Sequence, residues 1–116
     1  MKLAYIAGPY RGETGWHVES NIRTAENFGM MVAEMGAVPV IPHTMYRYWN
    51  GTLSDKFWLD ATLDLLRRCD AILLCPGWGA SEGSTAEKLE ADRLGLRVFH
   101  AQSPEWQAEI ARWAAE

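Results

Sequence analysis

Twice in this chain a helical stretch meets a glycine and passes straight into a short apolar run: Glu34-Met35-Gly36-Ala37-Val38 and Arg93-Leu94-Gly95-Leu96-Arg97-Val98. A glycine at that point closes a helix in the left-handed conformation. The strand that follows with almost no loop belongs to a sheet against which the helix already lies. Two further apolar runs, Leu3 to Ala7 and Ala71 to Cys75, end at Gly8-Pro9 and Pro76-Gly77. Strands alternating with helices imply right-handed crossovers and a parallel sheet. The expected fold class is α/β, a small flavodoxin/Rossmann-like three-layer domain with a parallel sheet of four to five strands, formed by residues 1–116 as a single domain.

The remaining elements follow from spacing. Ile22, Ala25, Gly29 and Val32 recur at helical intervals within 18–35, with Gly36 next in the series, and Ala37 to Ile41 reads as a second strand closed by Pro42. A long loop rich in aromatics (His43, Tyr46, Tyr48, Trp49) precedes a helix capped by Ser54 or Asp55 and running to Arg68. Asp70 opens the third strand. A third helix spans about Ser84 to Leu94, Leu96 to Phe99 is the fourth strand, and a last helix covers Pro104 to Ala115 with Trp106, Ile110 and Trp113 on one face. A chain of 116 residues buries roughly two-thirds of its unfolded surface. No apolar run approaches the ~20 residues of a membrane span, and Met1 to Ala7 is too short for a signal peptide. Cys69 and Cys75 flank one strand, about 20 Å apart and too far to pair, so a reduced, cytoplasmic protein is expected. The net charge of −4 gives no support for nucleic-acid binding. Of the six tryptophans, Trp58, Trp106 and Trp113 fall at helix-face spacings that suit packing. Trp16, Trp49 and Trp78 fall in predicted loops, where such rings more often line a site or an interface.

In a parallel sheet of this kind, ligands sit at the carboxyl ends of the strands, near the point where strand order reverses. The residues just past those ends are Gly8 to Arg11, Pro42-His43, Pro76 to Ser84, and His100. The segment Ser81-Glu82-Gly83-Ser84-Thr85-Ala86-Glu87 is the most informative. A helix N-terminus offers free N–H groups to an anion, Gly83 permits close approach, and Glu87 stands beside the opening. The same segment also reads as an ordinary N-cap by Ser81 or Ser84, with Glu87 solvent-facing like Glu90 and Asp92. Arg11 reads equally as a surface charge, Tyr5 as core, and His43 as a solvated loop histidine. His17, His43 and His100 lack metal-ligand spacing, and no phosphate-binding Gly-Lys-Ser/Thr or Gly-x-Gly-x-x-Gly motif follows the first strand. No metal and no cofactor are expected.

Together these residues resemble the nucleoside 2-deoxyribosyltransferase superfamily. One block is Tyr5-Ile6-Ala7-Gly8-Pro9-Tyr10-Arg11-Gly12, similar to the strand and loop of the 2′-deoxynucleoside 5′-phosphate N-hydrolases. The other is Asp70-Ala71, the apolar strand, then Ser81-x-Gly83-x-x-x-Glu87-x-x-x-Ala91, Gly95 and Val98. Pro42-His43 and Gly77-Trp78 also match short bacterial and phage relatives. The resemblance implies that Glu87 is a nucleophile at the anomeric carbon and that Tyr5 orients it. It further implies that Gly8, Arg11, His43, Trp78, Ser81 and Gly83 bind the substrate, with Arg11, Ser81 and Gly83 at a 5′-phosphate. Where transferases acting on free nucleosides carry an Asp, this chain has Ser81, which donates to a phosphate that a carboxylate would repel.

The implied activity is hydrolysis of the N-glycosidic bond of a (deoxy)nucleoside 5′-monophosphate, with base exchange or non-catalytic nucleotide binding as alternatives. A homo-oligomer is implied, with no nucleic-acid or membrane partner. One position departs from the family: the Asp that works on the leaving base is Thr62 here. Asp60 and Asp64 flank it, about 200° around a helix to either side. They and His43 are the candidates to replace it.

Overall fold

The computed structural model describes residues 1–49 and 51–116. Four strands, β1 (Leu3–Ala7), β2 (Val38–Val40), β3 (Ala71–Leu74) and β4 (Arg97–His100), form one sheet in the order β2-β1-β3-β4, and every pair is parallel. Helices α1 (Gly15–Glu34), α2 (Pro42–Met45), α3 (Asp55–Leu66), α4 (Glu82–Leu94) and α5 (Trp106–Ala115) connect or flank the strands. The expected α/β class holds, and the sheet has four strands.

Alternation along the central strands divides the core in two. Ala4 and Ile6 of β1, with Ala71 and Leu73 of β3, point to a layer made with Ala25 and Val32 of α1 and Trp106, Ile110 and Trp113 of α5. Tyr5, Ala7, Ile72 and Leu74 point the other way, onto Leu66 of α3 and Ala91 of α4. Strands buried on both faces read as continuous apolar runs, which is why β1 and β3 are so plain in the sequence. Gly36 and Gly95 do close α1 and α4 with positive φ (99° and 71°). Asp70 ties the sheet together at the other end, accepting the Leu3 N–H at 2.8 Å.

Several boundaries differ from those expected. Helix α1 begins at Gly15, three residues early, because the Thr14 hydroxyl accepts the His17 N–H. Ser81, not Ser84, caps α4, accepting the Ser84 N–H at 3.2 Å. The single turn α2 and a 3-10 turn at Trp78–Ala80 stand where loops were expected. Four residues beginning with proline are too few to show a period. Both cysteines are buried and unpaired, Cys69 against one face of the sheet and Cys75 against the other.

The strand order fixes where a ligand site can lie. From β1 the chain moves outward to β2, then crosses back over β1 to β3 and on to β4. The connections leaving β1 and β3 therefore diverge, and a crevice opens between Gly8 and Pro76 at the carboxyl ends of these strands.

Candidate active site

A cleft of about 870 Å³ occupies that crevice. Its floor is Tyr5 of β1. One wall is the start of α4, from Ser81 to Ser84, and Glu87 one turn further on; the opposite wall is aromatic, from Tyr10, Tyr46 and Trp58. Residues far apart in sequence meet here because each lies at a strand end or in the first turns of the element that follows.

Tyr5 and Glu87 form the centre. The Tyr5 hydroxyl donates to Glu87 Oε2, and both residues are buried. Period-2 alternation sends Tyr5 to the α3–α4 face, and the 3.6-residue turn brings Glu87 inward while Glu90 pairs with Arg67 and Arg93 at the surface. Burial raises the Glu87 carboxyl to about 7, against a smaller opposing pull from the Tyr5 hydrogen bond. Burial, reinforced by the neighbouring Glu87, also pushes the Tyr5 phenol well above its ordinary range. Tyr5 thus remains a donor, and near neutral pH Glu87 is divided between its two protonation states. No further hydrogen bond holds this carboxylate among the described residues, which leaves Oε1 available to a ligand. Thr62 stands beside the Tyr5 hydroxyl on the cleft side of α3, its own hydroxyl donating to the Leu59 carbonyl at 3.0 Å.

His43 is buried at the rim of the same cleft. Its Nε2 lies 3.2 Å from the Gly8 carbonyl and 3.0 Å from the Pro9 carbonyl, and the Tyr10 ring meets it edge-on. Carbonyls only accept, so Nε2 carries the proton, and burial lowers the pKa and keeps the ring neutral. The remaining nitrogen, Nδ1, is then an acceptor. The expectation that His43 protonates a leaving base finds no support in this arrangement, since the Nε2 proton is directed at two backbone carbonyls.

At the start of α4 the cap leaves the N–H groups of Glu82 and Gly83 without intrahelical partners. A Cβ on Gly83 would meet nothing within 4 Å, so its space opens to the cleft, whereas a Cβ on Gly8 would stand 3.0 Å from Cys75 Cβ. Gly8 is there because β1 and β3 run on side by side. Arg11 lines the cleft but is bonded to Asp55 at 2.8 Å, and both side chains are largely exposed.

Four expected residues stand elsewhere. Asp60 and Asp64 point away from the cleft, as the helical angle requires, and pair with Lys56 at 2.5 Å and Arg67 at 2.8 Å. Neither lines the cleft. Trp78 packs against the α3–α4 core and His100. Trp16 projects from the first turn of α1 with 81% exposure. The tryptophan that does line the cleft is Trp58, assigned from its spacing to packing. It belongs to an aromatic cluster with Tyr46 (5.1 Å between centroids), Trp49 (6.1 Å) and Phe57 (5.1 Å). The clue was the density of aromatics over 46–58, but a helical period cannot say which neighbour a face meets.

The fold comes first: an α/β domain with a parallel sheet in the order β2-β1-β3-β4 and a cleft at its switch point, similar in fold to a solved deoxyribosyltransferase. A 2-desoxiribosyltransferase from Leishmania mexicana superimposes with a TM-score of 0.61 at 22% identity, over 86% of this chain. The chain spans 63% of that enzyme's length. Residues 2–101 match the family described as domain of unknown function DUF7768, and the chain belongs to that family. No curated protein matches the sequence. No helix among the described residues is long and apolar enough to cross a membrane, and none of their His, Cys, Asp and Glu side chains cluster as metal ligands.

Proposed function

We propose that the protein cleaves the N-glycosidic bond of a nucleoside 5′-monophosphate, with Glu87 as nucleophile. The observation that carries the reading is the buried Tyr5–Glu87 pair on the floor of the switch-point cleft. Ionised Glu87 attacks the anomeric carbon through Oε1. The bond from that carbon to the base nitrogen breaks, its electron pair leaves with the base, and the base takes a proton. Water then cleaves the glycosyl ester, giving the sugar phosphate and restoring the carboxylate. The Tyr5 hydroxyl favours the ionised form and fixes the direction of Oε1. The free N–H groups of Glu82 and Gly83 and the Ser81 hydroxyl, which can still donate while it caps α4, supply donors to a phosphate. The aromatic wall of Tyr46 and Trp58 suits a planar base. With Asp60, Asp64 and His43 directed elsewhere, the leaving base takes its proton from a water molecule in the open cleft, and the water that cleaves the glycosyl ester returns one proton to solvent.

One observation favours a second reading, base exchange between nucleosides. Arg11 is already paired with Asp55, and Glu82 also lines the cleft, so its phosphate end carries little net positive charge. The similar Leishmania protein is by its description a transferase.

A mass-spectrometric assay separates the readings. Purified protein is given ribo- and deoxynucleosides and their 5′-monophosphates, with and without a second free base, alongside Glu87→Gln. Free base and sugar phosphate from monophosphates, in wild type only, is the expected result. A new nucleoside formed only with added base would establish exchange instead. No product in any arm would refute both.

A further inference from the structure

Four buried side-chain polar atoms have no partner among the described residues: His43 Nδ1, Arg47 Nε, Trp58 Nε1 and Ser84 Oγ. Three of the four belong to residues lining the cleft. Buried polar atoms are paired in the great majority of cases, and leaving one unpaired costs more than making a bond gains. Their gathering around one cavity marks where a ligand supplies the missing partners.

Ser84 is the clearest of them. It is 1% exposed, and its N–H is taken by the Ser81 hydroxyl. A helical serine usually satisfies its hydroxyl by bonding a carbonyl three or four residues back. Here the Ser81 carbonyl already accepts both the Thr85 N–H (2.9 Å) and the Thr85 hydroxyl (2.8 Å), filling its two lone pairs. That carbonyl is closed to it by its neighbour, and among the described residues the hydroxyl is left unpaired on a residue that lines the cleft. At 1.5 Å rise per residue, Ser84 lies roughly 4.5 Å along the axis from both Ser81 and Glu87. Between a phosphate held at the cap and an anomeric carbon at Glu87 lies the sugar ring.

We propose that Ser84 is a substrate-positioning residue whose hydroxyl bonds a hydroxyl of the substrate's sugar, between the phosphate end of the cleft and Glu87. This rests on the nucleotide reading above and deepens it. The bond holds the ring so that its anomeric carbon faces Oε1. It also accounts for a small residue that leaves its own hydroxyl unsatisfied in the free protein, a local cost retained at a functional position.

The test is calorimetric titration of Glu87→Gln, which holds substrate without turning it over, and of Glu87→Gln with Ser84→Ala. The ligands are adenosine, guanosine, cytidine and uridine 5′-monophosphates with their 2′-deoxy and 3′-deoxy forms. Melting of the unliganded proteins is measured in parallel. Expected is a loss of about tenfold in affinity on Ser84→Ala for ligands that carry one particular sugar hydroxyl and none for the form that lacks it, with an unchanged or higher melting temperature. Equal affinity of the two proteins for every ligand would overturn the Ser84 assignment alone. So would a uniform loss with a lowered melting temperature, which marks a structural role. No binding of any ligand to either protein would overturn the nucleotide reading along with it.

Discussion

Replacing Tyr5 by Phe isolates one atom of the site. The ring is fully buried in β1 between α3 and α4, so phenylalanine keeps its packing and removes only the donor to Glu87 Oε2. A hydrogen bond to a charged group is worth about 1.5–3 kcal/mol, and one pKa unit corresponds to about 1.4 kcal/mol. Without the donor, burial acts unopposed, and the Glu87 carboxyl rises from about 7 by about one to two units. The ionised fraction at pH 7 then falls from roughly a half to between a tenth and a hundredth, so kcat/KM there drops by about 5- to 50-fold. The assay is base release from the best substrate between pH 5 and 10. Expected is an acid limb displaced to higher pH, with the two enzymes converging above pH 9. An acid limb that stays in place would refute the view that Tyr5 holds the ionised carboxylate. So would a loss that persists unchanged at high pH, since that means the hydroxyl acts in the reaction rather than on the titration of Glu87.

Glu87→Gln is expected to lose turnover by about 10³ or more while gaining stability. The folded-state value of about 7 lies above the ordinary 4.5, so the stability Glu87 contributes is full below the lower value and is lost as pH rises through the higher one. The variant should therefore melt above wild type at pH 8, by up to about 3 kcal/mol, and match it near pH 4; a lower melting point at pH 8 would contradict the burial. His43 has the opposite sign. Its value is depressed, so its contribution is full above the ordinary 6.5 and lost as pH falls through the folded-state value; His43→Gln should flatten that acid-side decline in a melting-against-pH series. Asp55→Asn frees Arg11 from its partner. On the phosphate reading it lowers KM for monophosphates several-fold and leaves nucleosides unchanged, and an equal change in both would argue against a phosphate at Arg11.

Positions whose surroundings are set by their own segment were readable in advance. Gly36 and Gly95 close helices wherever those helices lie. The runs Leu3 to Ala7 and Ala71 to Leu74 are apolar throughout because both faces of their strands are covered. Ser81, Gly83 and Glu87 were singled out by a strand, a short loop and a helix, an arrangement local enough to see. Trp58 packs as its spacing predicted but lines the cleft as well, and Trp78, expected at the site, packs against the core instead; a period of 3.6 tells which residues share a face and not what that face meets. Asp60 and Asp64 were expected near the cleft and lie outside it, although the angle separating them from Thr62 was already computable.

The chain by itself determined the alternation of strands and helices, the closing glycines and the segment that carries the carboxylate, because each depends on backbone conformation and burial within a dozen residues. Only the tertiary structure decided that β1 and β3 are neighbours with their connections diverging, which creates the cleft. It alone joined Tyr5 to Glu87, set the Nε2 of His43 against two carbonyls and left the Ser84 hydroxyl without a partner among the described residues. Hydrogen bonding and desolvation depend on which atoms meet across tens of residues, and in this chain that meeting is arranged by strand order.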